Sequence, residues 1–243
     1  MNQKTHWDGI GKKYDGEIFD VFKSDKLKIL PYALKKHANT AHRAIDFGCG
    51  MGKAFPYLAP AFNYVLAIDI SSELLKIARQ SPYKNISCKR ADLTSKRLTF
   101  PHVDFIYCCN VIMLPEIEKN VALIENAYKA LRPSGTAFIV LPSLESIFFS
   151  TRRLIDWYKK EGVSPEQIPN AELDILQGII HIDKVPTKHY SEPGIQVLFG
   201  EAKLTLTAVE KLEYHWETEF ASPPDWMKAT YPWDWLVECK KTK

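Results

Sequence analysis

The sequence predicts an α/β protein built on a doubly wound, mostly parallel sheet with helices on both faces. Three observations carry that prediction. Five short, near-continuous apolar runs recur (44–47, 65–70, 86–89, 103–109 and 136–141), as strands buried on both faces require. Amphipathic stretches fall between them, which implies right-handed crossovers. A glycine-rich segment follows the first run directly, at the place where such sheets bind ligands.

The elements follow in order. Residues 1–42 read as a helical cap, because Phe19, Phe22, Leu27, Leu30 and Leu34 recur at helix-like intervals. Ser71 is an N-cap for a helix through Gln80, with Glu73 in its first turn and Lys76 and Arg79 near its end, as the helix dipole favours. Ile117, Val121, Ile124, Tyr128 and Leu131 form one apolar stripe on a helix that stops at Pro133-Ser134-Gly135. Residues 143–160 form a further helix, and 161–186 hold three prolines in a polar excursion. Ser191–Ala202 is a last helix, and 204–212 and 235–239 are two strands joined by a long aromatic loop. The organisation is one domain over 1–243: a cap (1–42), a core (43–142), a variable insertion (143–190), and the final helix with its strand pair (191–243).

Composition narrows the function classes. Of 243 residues, 46% are hydrophobic and 25% charged, which excludes a disordered or fibrous chain. The net charge of +3 is spread along the sequence, whereas a nucleic-acid partner calls for a gathered basic patch, so nucleic acid is disfavoured. No stretch has the length of a membrane span and no signal-type apolar core opens the chain. The five cysteines lack CxxC spacing and fall mostly in strands, which fits reduced, buried thiols and a cytoplasmic location. No His/Cys cluster has zinc-ligand spacing, so no metal is expected.

The chemistry concentrates in Asp46-Phe47-Gly48-Cys49-Gly50-Met51-Gly52. Gly48 supplies dihedrals closed to other residues, and Gly50 admits a ligand without a Cβ in the way. A helix starting near Gly52 would offer free N–H groups to an anionic group. A dinucleotide-binding loop would place its third glycine at position 53, where this chain has Lys53, and that disfavours a nicotinamide oxidoreductase. Asp69 ends the second run and can accept hydrogen bonds from both hydroxyls of a ribose. Asp92 follows the third run and can accept from a purine amino group, and Asn110 ends the fourth. All four polar positions converge on the carboxyl ends of one sheet.

Through that loop, Ala67-Ile68-Asp69-Ile70, Ala91-Asp92-Leu93 and Leu131-Arg132-Pro133-Ser134-Gly135-Thr136, the sequence resembles the class I S-adenosylmethionine-dependent methyltransferases. The resemblance covers 43–142 and continues more loosely through Tyr190-Ser191-Glu192 to the strand pair. It implies a Rossmann-like, seven-stranded sheet with an antiparallel C-terminal strand. It also implies that Asp46, Gly48, Cys49, Gly50 and Gly52 hold the methionyl moiety. Asp69 with Ile70 would then serve the ribose, Asp92 with Leu93 the adenine, and the Asn110 backbone the methionyl amino group. Tyr14 stands where the family places an aromatic from an N-terminal lid. Pro56 and Pro60 shorten the helix after the loop, Ser134 replaces a usual glycine, and Lys203 stands where a glycine commonly closes the last helix.

The implied activity is methyl transfer from S-adenosylmethionine, leaving S-adenosylhomocysteine, to an oxygen, nitrogen or carbon of a small molecule by in-line displacement. RNA or protein as acceptor, and a non-catalytic cofactor-binding protein, stay open beside it. No catalytic residue is identified. His181 and His189 lie in the variable half and are the candidates for a general base. The aromatic loop from Tyr214 to Trp235 is either core or an aromatic wall for a substrate.

Overall fold

The computed structural model describes residues 19–164, 173–174, 177–182, 185–201 and 204–242. Two helices open it, α1 (Val21–Ser24) and α2 (Ile29–His37). The order continues β1 (Asn39–Phe47), α3 (Phe55–Ala61), β2 (Phe62–Asp69), α4 (Ser72–Ala78), β3 (Ile86–Arg90) and β4 (Val103–Cys109). It then runs α5 (Ile117–Ala130), β5 (Leu131–Pro142), α6 (Leu144–Lys160), β6 (Leu173–Asp174), β7 (Ile179–Ile182) and β8 (Val185–Lys188). Helix α7 (Glu192–Glu201), β9 (Leu204–Glu213), a short 3-10 turn (Trp216–Thr218) and β10 (Trp233–Lys241) complete it.

Seven strands form one sheet in the order β3-β2-β1-β4-β5-β10-β9. The first five are mutually parallel, and β10 runs antiparallel to both β5 and β9. The order reverses between β1 and β4, so the crevice outside their carboxyl ends is the topological switch point of the fold.

Both sheet faces are covered, which explains the unbroken apolar runs. Along β4, Phe105 and Tyr107 face one cluster with Val21, Phe22, Leu30, Leu34 and Leu58, while Ile106 and Cys108 face another with Leu123, Ile124, Leu198 and Phe199. Ser71 caps α4 as its sequence position requires, its Oγ accepting from the Leu74 N–H at 3.2 Å. All five cysteines are free thiols, and Cys49, Cys108 and Cys239 are buried.

Several elements differ from the sequence expectations. Strand β1 starts at Asn39, five residues before the apolar run, because its amino end lies in the exposed outskirts of the sheet and carries no hydrophobic signature. Helix α5 ends at Ala130. Its buried face includes Asn120, Leu123, Ile124 and Ala127, and Ile117 is exposed. Leu27 is likewise exposed. The chain after the glycine loop makes turns through Gly52 and enters α3 only at Phe55, with Pro56 in the first turn and Pro60 inside seven residues. Part of the excursion after α6 forms a three-stranded antiparallel sheet, β6-β7-β8. Lys203 and residues 165–172 of the excursion lie outside the described residues.

Candidate functional site

The glycine loop is a turn that only small residues can occupy. Gly48, Gly50 and Gly52 adopt φ of +86°, +53° and +90°. A Cβ on Gly48 would come within 2.2 Å of Val111 Cγ2, and one on Gly52 within 2.5 Å of the Phe55 ring. The loop is tied to β2 through its backbone: the N–H groups of Gly48 and Cys49 both donate to the Ile68 carbonyl, at 2.8 and 2.9 Å. The Cys49 side chain points into a small apolar cluster with Phe55 and Leu75, so only its backbone can face a ligand.

Two carboxylates flank the loop. Asp69 accepts from the Gly50 N–H through Oδ2 and from the Ser71 N–H through Oδ1, both at 2.8 Å. Asp46 is 2% exposed, and its Oδ2 is buried without a hydrogen-bond partner. Burial and the neighbouring Asp69 charge push the Asp46 carboxyl up from 3.8 to about 8. An orphaned buried carboxyl oxygen beside a loop that excludes side chains fits a ligand that brings positive charge and hydrogen-bond donors.

The remaining expected positions fall along the same edge. Ile70 follows Asp69, and its carbonyl accepts from Arg90 Nε at 3.2 Å. Asp92 is exposed; its Oδ1 accepts from the Thr94 N–H at 2.9 Å and from the Thr94 hydroxyl at 2.7 Å. Leu93 is buried beneath it, and its carbonyl is held by Asn126 Nδ2 at 2.8 Å. Asn110 follows β4 at φ +53°, donates its N–H to the Val140 carbonyl at 3.1 Å, and leaves Oδ1 buried without a partner. Tyr14 lies outside the described residues.

The two histidines do not join this group by any hydrogen bond. His181 is exposed on β7. His189 is buried, with Nδ1 3.1 Å from the Thr187 carbonyl, and burial lowers its pKa. The aromatic loop is largely core: Tyr214, Trp216, Trp233 and Trp235 are all buried.

Sequence reasoning missed several polar residues that shape the edge. Asn126 on α5 also binds the Ser95 carbonyl, and Asn120 clamps Leu114 through both its N–H and its carbonyl, so these two side chains fix the loops after β3 and β4. Their signal was a polar residue on the buried side of an apolar helix. Asp234, the second residue of β10, was missed too. It accepts from the Tyr214 hydroxyl at 3.0 Å, with Asn110 and Ser143 beside it.

Residues 44–135 match a family model described as a methyltransferase domain. An uncharacterized protein, MJ1123, of Methanocaldococcus jannaschii is 28% identical over 189 residues, covering 70% of this chain and 86% of that protein. The Probable S-adenosylmethionine-dependent methyltransferase CRG1 of Saccharomyces cerevisiae is 30% identical over 166 residues, 65% of this chain but only 55% of its own length. Among solved structures, the N-methyltransferase NodS of Bradyrhizobium japonicum, in complex with S-adenosyl-L-homocysteine, superposes with a TM-score of 0.62 at 13% identity, covering 100% of both chains.

Proposed function

We propose that this chain, a class I S-adenosylmethionine-dependent methyltransferase, methylates an oxygen, nitrogen or carbon atom of a small molecule. The observation that carries the site assignment is the pairing of an orphaned, buried Asp46 oxygen with a loop whose Gly48 and Gly52 leave no room for a side chain. S-adenosylmethionine, when bound, supplies an electrophilic methyl group on a sulfonium. The residues of this chain supply the rest. Asp46 and the backbone of residues 48–52 take the methionyl portion, where a carboxylate meets cationic charge in a dry setting. Asp69 takes the ribose, Asp92 and Leu93 the adenine, and the Asn110 backbone the methionyl amino group.

Alignment and exclusion of water do most of the catalytic work in such a displacement, so a site rich in binding groups and poor in nucleophiles is what the reaction needs. No helix among the described residues is long and apolar enough to cross a membrane. A small-molecule acceptor is supported by the modest, dispersed charge of the chain. The test is a screen of the purified protein with methyl-labelled S-adenosylmethionine against fractionated metabolites, total RNA and protein. Label in small molecules supports the proposal. Label confined to RNA or protein, or found nowhere, overturns it.

A further inference from the structure

A second polar cluster lies on the same sheet face as Asp46 but three strands away, on β10. Strand spacing alone separates Asp234 from Asp46 by roughly 14 Å or more, too far for both to serve one methionyl group. Asp234 is partly exposed and accepts a hydrogen bond from the Tyr214 hydroxyl at 3.0 Å, with Asn110 and Ser143, the N-cap of α6, beside it. Phe19 packs edge-on against Tyr214 with ring centroids 4.5 Å apart, and Phe22 lies 5.3 Å from Tyr107. These rings pack in the apolar cluster on this sheet face, beside the end of β4.

Carboxyl groups gather around Asp234. Glu219 acts on Asp234, and Asp234, Asp46 and Asp20 act on the neighbouring Cys109. Asp20 alone has a basic partner, Lys23 at 3.6 Å on the exposed side. Among the described residues no lysine or arginine forms an ion pair with Asp234 or Glu219. Asn110 Oδ1 adds a buried acceptor with no donor, an observation independent of the carboxyls. A partly exposed carboxylate and an orphan carbonyl at the same sheet edge together describe the recognition of an amine.

We propose that Asp234, oriented by Tyr214, binds the methyl acceptor and that the acceptor is a small amine. The inference rests on the methyltransferase reading and narrows its acceptor. An ammonium seated there hands one proton to the Asp234 carboxylate, giving a carboxylic acid and a neutral amine whose nitrogen lone pair is free. Burial and Glu219 raise the Asp234 carboxyl from 3.8 to about 7, which matches it to that transfer. The other titratable groups facing it are Tyr214, Tyr107 and Cys109, all held protonated by burial, and Glu219.

The experiment is calorimetric titration of the full chain, both with and without S-adenosylhomocysteine. Benzylamine and ethanolamine are the probes, with benzyl alcohol, ethylene glycol and benzoate as matched controls. The amines are expected to bind at millimolar concentration and the controls not, with affinity rising between pH 6 and 8 as Asp234 ionises. Asp234→Asn should weaken amine binding at least about tenfold while leaving S-adenosylhomocysteine affinity within about twofold. Equal binding of alcohols and amines, no amine binding, or an unchanged Asp234→Asn overturns the inference. If that variant does not fold, the wild-type pH profile decides, and a flat one is fatal. Absence of S-adenosylhomocysteine binding would instead sink the methyltransferase reading, so the two claims fall separately.

Discussion

Replacing Asp46 by asparagine should stabilise the cofactor-free protein at neutral pH and destabilise it in acid. The folded carboxyl sits at about 8 against the ordinary 3.8, so between those values the folded state holds a proton that the unfolded chain has shed. Stability is therefore lost as pH rises from about 4, and the loss stops growing above about 8. At pH 7 the interval is about 3 pH units, worth about 4 kcal/mol at 1.36 kcal/mol per unit. Asparagine escapes that penalty but brings a second N–H into a place where Asp46 Oδ2 already lacks a partner, costing about 1–2 kcal/mol. The net gain at pH 7 is about 2–3 kcal/mol, or roughly 5–10 °C in melting temperature for a chain of this size. The stability curves of the two proteins should cross near pH 5. Urea unfolding of wild type and Asp46→Asn at pH 4.5, 6, 7 and 8 measures this. Parallel curves at all four values would refute the claim that Asp46 is a buried, unpaired acid.

Two other changes separate the loop's roles. Gly48→Ala forces an alanine to φ +86° and drives its Cβ onto Val111, so unfolding experiments should show a loss of about 2–5 kcal/mol; adding Val111→Ala should recover part of it by removing the 2.2 Å contact. Asp92→Ala removes an exposed carboxylate whose local partner is Thr94, so melting should shift little while calorimetry records a ten- to hundredfold weaker S-adenosylhomocysteine affinity.

The core of the fold was legible because burial on both faces writes itself as apolar runs. Strand β4 reads Val103-Asp104-Phe105-Ile106-Tyr107-Cys108-Cys109, and almost every side chain in it is enclosed. The glycine loop was legible because positive φ and close approach leave few residue choices at positions 48, 50 and 52. Other parts carried no such signature. The exposed start of β1 is set by pairing of Asn39 with Phe62, which is a long-range contact invisible to periodicity. Asp234 looked like one acid in an aromatic stretch. Only the antiparallel register of β10, with Asp234 opposite Pro142, brings it to the end of β5. The buried face of α5 was misjudged because Asn120 and Asn126 are buried for their hydrogen bonds, which a hydrophobic stripe does not record.

The most direct measurement is a crystal structure of the chain soaked with S-adenosylhomocysteine. Density for the ligand along residues 46–52, with its ribose at Asp69, its methionyl part beside Asp46 and its amino group at the Asn110 backbone, is the predicted result. A loop closed on itself by its own side chains, or ligand bound elsewhere on the molecule, would contradict the account.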